Sequence, residues 1–164
     1  MRSRIIWPID QDDPADIACG LSEDYSSVYC NLNPLRVELL SVDPGPGVSI
    51  RDSMILARTR VLVDIDAHHG NKQQAEIEKD AIRNELGPPL IESDSGNGFG
   101  LIYPCRLPPT QSPQLQSFLL GLKARFPCVD ASVHTLSRLT RVIGTTNTSK
   151  AHQGRIPTKL CTPT

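Results

Sequence analysis

No apolar run in the sequence approaches the roughly 20 residues that a membrane helix requires. The first residues, MRSRIIWPID, offer only Ile5, Ile6 and Trp7 before Pro8 and Asp10, too short a stretch for the apolar region of a secretory signal. Aromatic residues are scarce, at 4% of 164. Cysteines number five (Cys19, Cys30, Cys105, Cys128, Cys161), an odd count with no C-x-x-C spacing. That pattern excludes a disulfide-framed miniprotein and offers no close ligand pair for a closed zinc site. Free thiols in a reducing, cytoplasmic compartment are the expectation, with no membrane partner. Acid is also absent from one end. Beyond Asp130 there is none, while Arg138, Arg141, Lys150, Arg155 and Lys159 remain, so a formal charge of -1 divides into an acidic body and a basic end. Such a division suits a site that holds cations on one side and phosphates on the other, and it equally suits a solvated basic tail. The length fits one domain, 1–164, able to bury a core unaided.

Residues 1–26 read as a polar lead-in and 27–59 as a short N-terminal unit, with a strand over Val28–Leu32, a Pro/Gly loop at Asp43–Gly47, and Ser49 or Asp52 capping a short helix through Ala57. Residues 60–160 form the catalytic-type core. Arg60–Asp66 is β-branched, apolar and of strand length. Asn71 caps a helix to about Leu86, with Ile77, Ala81, Ile82 and Leu86 as its inner face and Gly87-Pro88-Pro89 as its stop. Leu90–Ser93 and Phe99–Pro104 are strands joined by the tight turn Ser95-Gly96-Asn97-Gly98, whose Asn-Gly pair favours positive φ. Ser112 caps a second helix with Pro113 at its first position and Leu115, Phe118, Leu119, Leu122 and Phe126 on one face. Cys128–Asp130 and Leu139–Ile143 close the series as strands. The order β-α-β-β-α-β predicts an α+β fold: an RNA-recognition-like, split βαβ antiparallel sheet with helices on one face, preceded by the lead-in unit.

Asp64 and Asp66 stand two apart in a strand, so their carboxylates project to the same face. Paired carboxylates repel unless a cation neutralises them, and their hard oxygens suit Mg2+ or Mn2+. Asp130 ends another apolar segment, which the element order can set beside the Asp64 strand. Each acid also has a plainer reading, the pair as a solvent-facing strand end and Asp130 as a turn cap. Ser95–Gly98 is a hairpin turn or a phosphate-binding nest. His68 and His69 would point in opposite directions in a strand, which favours a solvent-exposed loop pair. Arg138, Arg141 and Lys150 offer planar and point charges for a triphosphate, although Arg138 and Arg141 fall on opposite faces of an ideal strand.

The runs VLVDIDAHHG, ESDSGNGFGLIYP and CVDASVHTLSRLTRVIGTTNTSK, with VYCNLNPL upstream, together resemble the catalytic domain of the archaeo-eukaryotic primase superfamily. They are most similar to its primase-polymerase branch from phages, plasmids and mobile elements. The resemblance covers about residues 27–160. It implies a nucleotidyltransferase that adds nucleotides to a nucleic-acid 3′-end in replication, with nucleoside triphosphates, a single-stranded DNA template and a replicative helicase as partners. It implies that Asp64, Asp66 and Asp130 hold two divalent metals, that Ser95, Gly96, Asn97 and Gly98 form the glycine-rich second motif, and that Arg138, Arg141 and Lys150 lie near the nucleotide phosphates. Gly100 stands where that family usually carries a phosphate-contacting histidine. The alternative expectation is therefore a weakened or inactive module that binds single-stranded nucleic acid or nucleotides. The end of the chain soon after the basic segment leads us to expect a fragment or a stand-alone domain.

Overall fold

The computed structural model describes residues 18, 20, 28–36, 38, 49–67, 70–147, 156–157 and 159–160. Its elements are β1 (Tyr29–Asn31), β2 (Arg58–Asp66), α1 (Lys72–Leu86), β3 (Ile91–Asp94), β4 (Gly98–Leu107), α2 (Ser112–Arg125), β5 (Leu139–Arg141), β6 (Thr146–Asn147), β7 (Ile156–Pro157) and β8 (Lys159–Leu160). The fold is mixed α+β. A four-stranded antiparallel sheet runs β2-β4-β3-β8, and two-stranded sheets pair β1 with β5 and β6 with β7. On the outer side of β2, Val129 bridges Ile65 in antiparallel sense, so the Cys128–Asp130 segment extends the sheet.

Strand alternation divides β2 and β4 cleanly. Val61, Val63, Ile65, Phe99 and Leu101 point to one side and form the main core with Ala75 and Ile82 of α1 and Leu115, Leu119 and Leu122 of α2. Leu62 and Ile102 point the other way and are covered by Leu32, which follows β1. The helices thus close one face. On the second face, Leu32 covers Leu62 and Ile102 at one end among the described residues, and the acids of β2 lie on this face.

Most of the expected strands form, β4 running on to Leu107 and β5 stopping at Arg141, but Cys128–Asp130 makes only the isolated bridge at Val129. Four further local expectations fail for identifiable reasons. Ser49 and Asp52 cap no helix through Ala57. Only a 3-10 turn spans Asp52–Met54, and Ile55 is extended because it bridges Leu35, a tertiary pairing that overrides the capping signal. Ser112 is not the cap of α2. A 3-10 turn over Pro109–Gln111 leads straight into the helix, and the Ser112 hydroxyl accepts from Arg58 Nη2 at 3.0 Å. Ile77 is 57% exposed, because the inward stripe of α1 is Ala75, Glu78, Lys79 and Ile82. In α2, Phe118 is exposed while Leu115, Leu119 and Leu122 are buried.

The Asn71 cap holds: its side chain accepts from Gln74 N–H at 3.1 Å. The turn between β3 and β4 also forms, but its positive φ of 85° falls at Gly96 and not at Gly98 of the Asn-Gly pair. Gly98 is required for a different reason. A Cβ there would lie 2.1 Å from the Ile65 carbonyl oxygen, so β2 and β4 approach as they do only with glycine.

Candidate metal centre

The acids of β2 are brought out by register. Asp64 lies opposite Gly100 and Asp66 opposite Gly98 on β4. Across the next pair Gly100 faces Ser93, and a Cβ at Gly100 would stand 2.9 Å from Ser93 Oγ and 3.5 Å from Leu62 Cδ1. Gly100 therefore belongs to the face that carries Asp64.

Asp130 arrives from the other side. Its N–H donates to Asp64 O at 2.8 Å and Asp66 N–H donates to Cys128 O at 2.8 Å, the two bonds flanking the Ile65–Val129 bridge. Glu78 fixes the same segment from α1. It is buried, and its carboxylate accepts from Cys128 N–H at 2.8 Å. One oxygen from each of Asp64, Asp66 and Asp130 falls within 4.8 Å of the other two. The cap reading of Asp130 holds as well. Ser132 donates to it through N–H at 2.9 Å and through its hydroxyl at 2.8 Å, opening the 3-10 turn Ala131–His134.

The electrostatics separate these acids. Loss of hydration pushes the Asp64 carboxyl up to about 6, the charges of Asp66 and Asp130 add to this, and Arg138 opposes it. Burial acts upward on Asp130 too, but the two Ser132 donors, with Arg138 and Lys123, outweigh it and hold the group below the ordinary carboxylate range. Arg138 Nη2 lies 3.3 Å from Asp64 Oδ2, with the side chains 33% and 28% exposed, and Arg138 Nε is buried with no hydrogen-bond partner among the described residues. A donor set made only of carboxylate oxygens, crowded enough to raise one member, fits a hard divalent cation such as Mg2+ or Mn2+.

The remaining expected site residues divide. In the hairpin, Ser95 N–H and Oγ both donate to Gly98 O, at 2.9 and 3.2 Å, and Gly96 N–H donates to Asp94 Oδ1 at 2.7 Å. Asn97 O accepts from Ala67 N–H at 2.9 Å, which ties the hairpin to the end of β2. These contacts are those of a turn. Arg138 reaches Asp64, whereas Arg141 lies over the Tyr29 ring, 4.9 Å from its centroid. The two arginines thus diverge as strand alternation requires. Lys150, His68 and His69 lie outside the described residues. Sequence reasoning missed Glu78, whose signal is an acid within the apolar stripe of α1, and Ser132, whose signal is a hydroxyl two residues after Asp130. An apolar cavity of about 320 Å³ lined by Val61, Leu86, Tyr103 and Phe118 opens on the helix-covered face and takes no part in the centre.

Comparison with known protein families, with curated proteins and with solved structures finds no match for this chain.

Proposed function

We propose that the protein is a metal-dependent nucleotidyltransferase of the primase-polymerase type, working at Asp64, Asp66 and Asp130. The observation that carries this reading is the convergence of those three carboxylates, two from β2 and one from the segment bridged to it at Val129, on the face away from the helices. The strand succession supports it. With Cys128–Asp130 beside β2, the order becomes 128–130, β2, β4, β3, that of a split βαβ sheet in which the first and last strands are neighbours.

Asp64, Asp66 and Asp130 are the residues that would hold two divalent ions, which would supply Lewis acidity toward a 3′-hydroxyl and the phosphates. The protein's own groups do the rest. Asp64 and Asp66 present parallel carboxylates from one strand face. Asp130 enters already ionised and oriented by Ser132. Arg138 balances Asp64 before substrate arrives, and its planar donors then suit a triphosphate. Gly98 permits the close approach of β2 and β4 at the end where Asp64 and Asp66 sit.

Gly100 also favours a second reading, a module that binds nucleotide or single-stranded nucleic acid without transfer, because a glycine is the register partner of Asp64 on β4. Primer extension with Mn2+, run beside calorimetric Mn2+ titration, separates the two. Transfer predicts that Asp64→Ala, Asp66→Ala and Asp130→Ala each abolish extension and lose Mn2+ affinity. Equal Mn2+ affinity in all three variants overturns the centre itself. Metal binding without extension leaves the binding module.

A further inference from the structure

We propose that one face of the β1–β5 ribbon docks single-stranded DNA, with Tyr29 as the base-stacking platform. The pairing sets Tyr29 opposite Arg141 and Asn31 opposite Leu139. Alternation then gathers these four side chains on one face of the ribbon and sends Cys30 and Thr140 to the other. Tyr29 is 49% exposed and Leu139 44% exposed. In a chain with only three tyrosines, three phenylalanines and one tryptophan, this ring is spent on the surface.

The ring is also held in place. Arg141 Nη2 donates to the Tyr29 hydroxyl at 2.9 Å, and the guanidinium carbon stands 4.9 Å from the ring centroid. A cation covers one side of the ring, and about half of the residue is exposed to solvent. A fixed aromatic face with a guanidinium beside it matches a nucleobase and its phosphate: the base stacks on the ring and the charge meets the backbone. Charge favours the same occupant. No acid occurs between Val28 and Arg36, and none follows Asp130.

The ribbon is rooted beside the acidic cluster. Arg138, directly before β5, reaches Asp64, and Leu32, directly after β1, packs on Leu62 and Ile102. At about 3.3 Å per strand residue, Arg141 lies roughly 10 Å along the chain from Arg138. Strand alternation sets Arg138 and Arg141 on opposite sides of the ribbon, so the Tyr29 face is a surface of its own next to the centre. The inference stands on the ribbon alone and does not require transfer chemistry.

The test is fluorescence anisotropy of labelled oligo-dT with the full chain in EDTA. Tyr29→Val keeps a strand-forming residue and removes the ring, and it should weaken binding by about tenfold. Tyr29→Phe should remain within about twofold of the parent, because the ring persists without its hydroxyl bond. Tyr29→Trp gives a second measurement, since its emission should be quenched as oligo-dT is added. Unchanged binding in Tyr29→Val, an unquenched tryptophan, or a parent that binds oligo-rU but not oligo-dT overturns the proposal. Asp130→Asn keeps the two readings apart. Loss of its Mn2+ affinity with DNA binding intact supports both. A parent without Mn2+ affinity but with Tyr29-dependent DNA binding removes the transfer reading and retains the ribbon.

Discussion

Replacing Asp64 by asparagine should stabilise the metal-free protein at alkaline pH and lose that advantage in acid. The folded protein raises the Asp64 carboxyl from its ordinary 3.8 to about 6, through burial first and the neighbouring Asp66 charge second. The native state therefore binds this proton more tightly than the unfolded chain does. The stability this confers is complete below pH 3.8 and is lost as the pH climbs to about 6. At pH 8 the ionised acid disfavours the fold by at most about 3 kcal/mol. Two facts reduce that figure. Solvent still reaches 28% of the side chain, and asparagine forfeits the 3.3 Å contact with Arg138. A net gain of about 1–2 kcal/mol remains for Asp64→Asn. The assay is urea unfolding in EDTA at pH 8 and pH 4, followed by far-ultraviolet circular dichroism. The variant should be the more stable at pH 8 and equal or weaker at pH 4. The same stability difference at both pH values would refute the electrostatic account. Saturating Mn2+ should reverse the order at pH 8, because only the parent gains the binding free energy.

Arg138→Gln should tighten Mn2+ binding several-fold, since it removes the positive charge now held at Asp64; calorimetry at one fixed pH reads this. Gly98→Ala should cost roughly 3 kcal/mol in urea unfolding, because the added Cβ would meet the Ile65 carbonyl at 2.1 Å. Glu78→Gln should cost about 1.5–3 kcal/mol and speed hydrogen exchange at the Cys128 amide, whose charged acceptor it removes. Gly100→His should raise Mn2+-dependent primer extension if the missing imidazole limits turnover, with Ser93 turning its hydroxyl aside from a contact of 2.9 Å; a fall in extension rate with the fold intact would show the space to be already committed.

What could be read in advance was whatever depends on near neighbours in the chain. The run from Val61 to Asp66 is apolar and of strand length, so the strand itself and the common face of Asp64 and Asp66 follow from strand geometry. Asn71 and the Ser95–Gly98 turn act within a few residues of themselves, and both are found. The inner face of α1 was misread because Glu78 and Lys79 are polar. Glu78 is buried against Cys128 N–H, and Lys79 against Glu92 at 3.0 Å. Those partners come from other elements, so periodicity alone drew the stripe through Ile77.

Asp130 shows why the plain and the functional readings of a residue need not compete. A carboxylate offers about four lone-pair directions, and Ser132 takes one on each oxygen. The lone pairs that remain are available to a cation among Asp64, Asp66 and Asp130. The capping bonds do two further things: they hold the group ionised against its burial, and they fix its rotamer. A cap is thus what makes the third acid ready beside two others, one of which, Asp64, is pushed the opposite way. The Asp-x-Ser spacing at 130–132 carries the local half of that arrangement in the sequence. The other half is the hydrogen bond from Asp130 N–H to Asp64 O, which joins residues 66 apart in the chain and exists only once the sheet has formed. Ser132→Ala separates the halves: it should raise the Asp130 carboxyl toward the ordinary range and weaken Mn2+ binding, while the Ile65–Val129 pairing, read by amide exchange, stays in place.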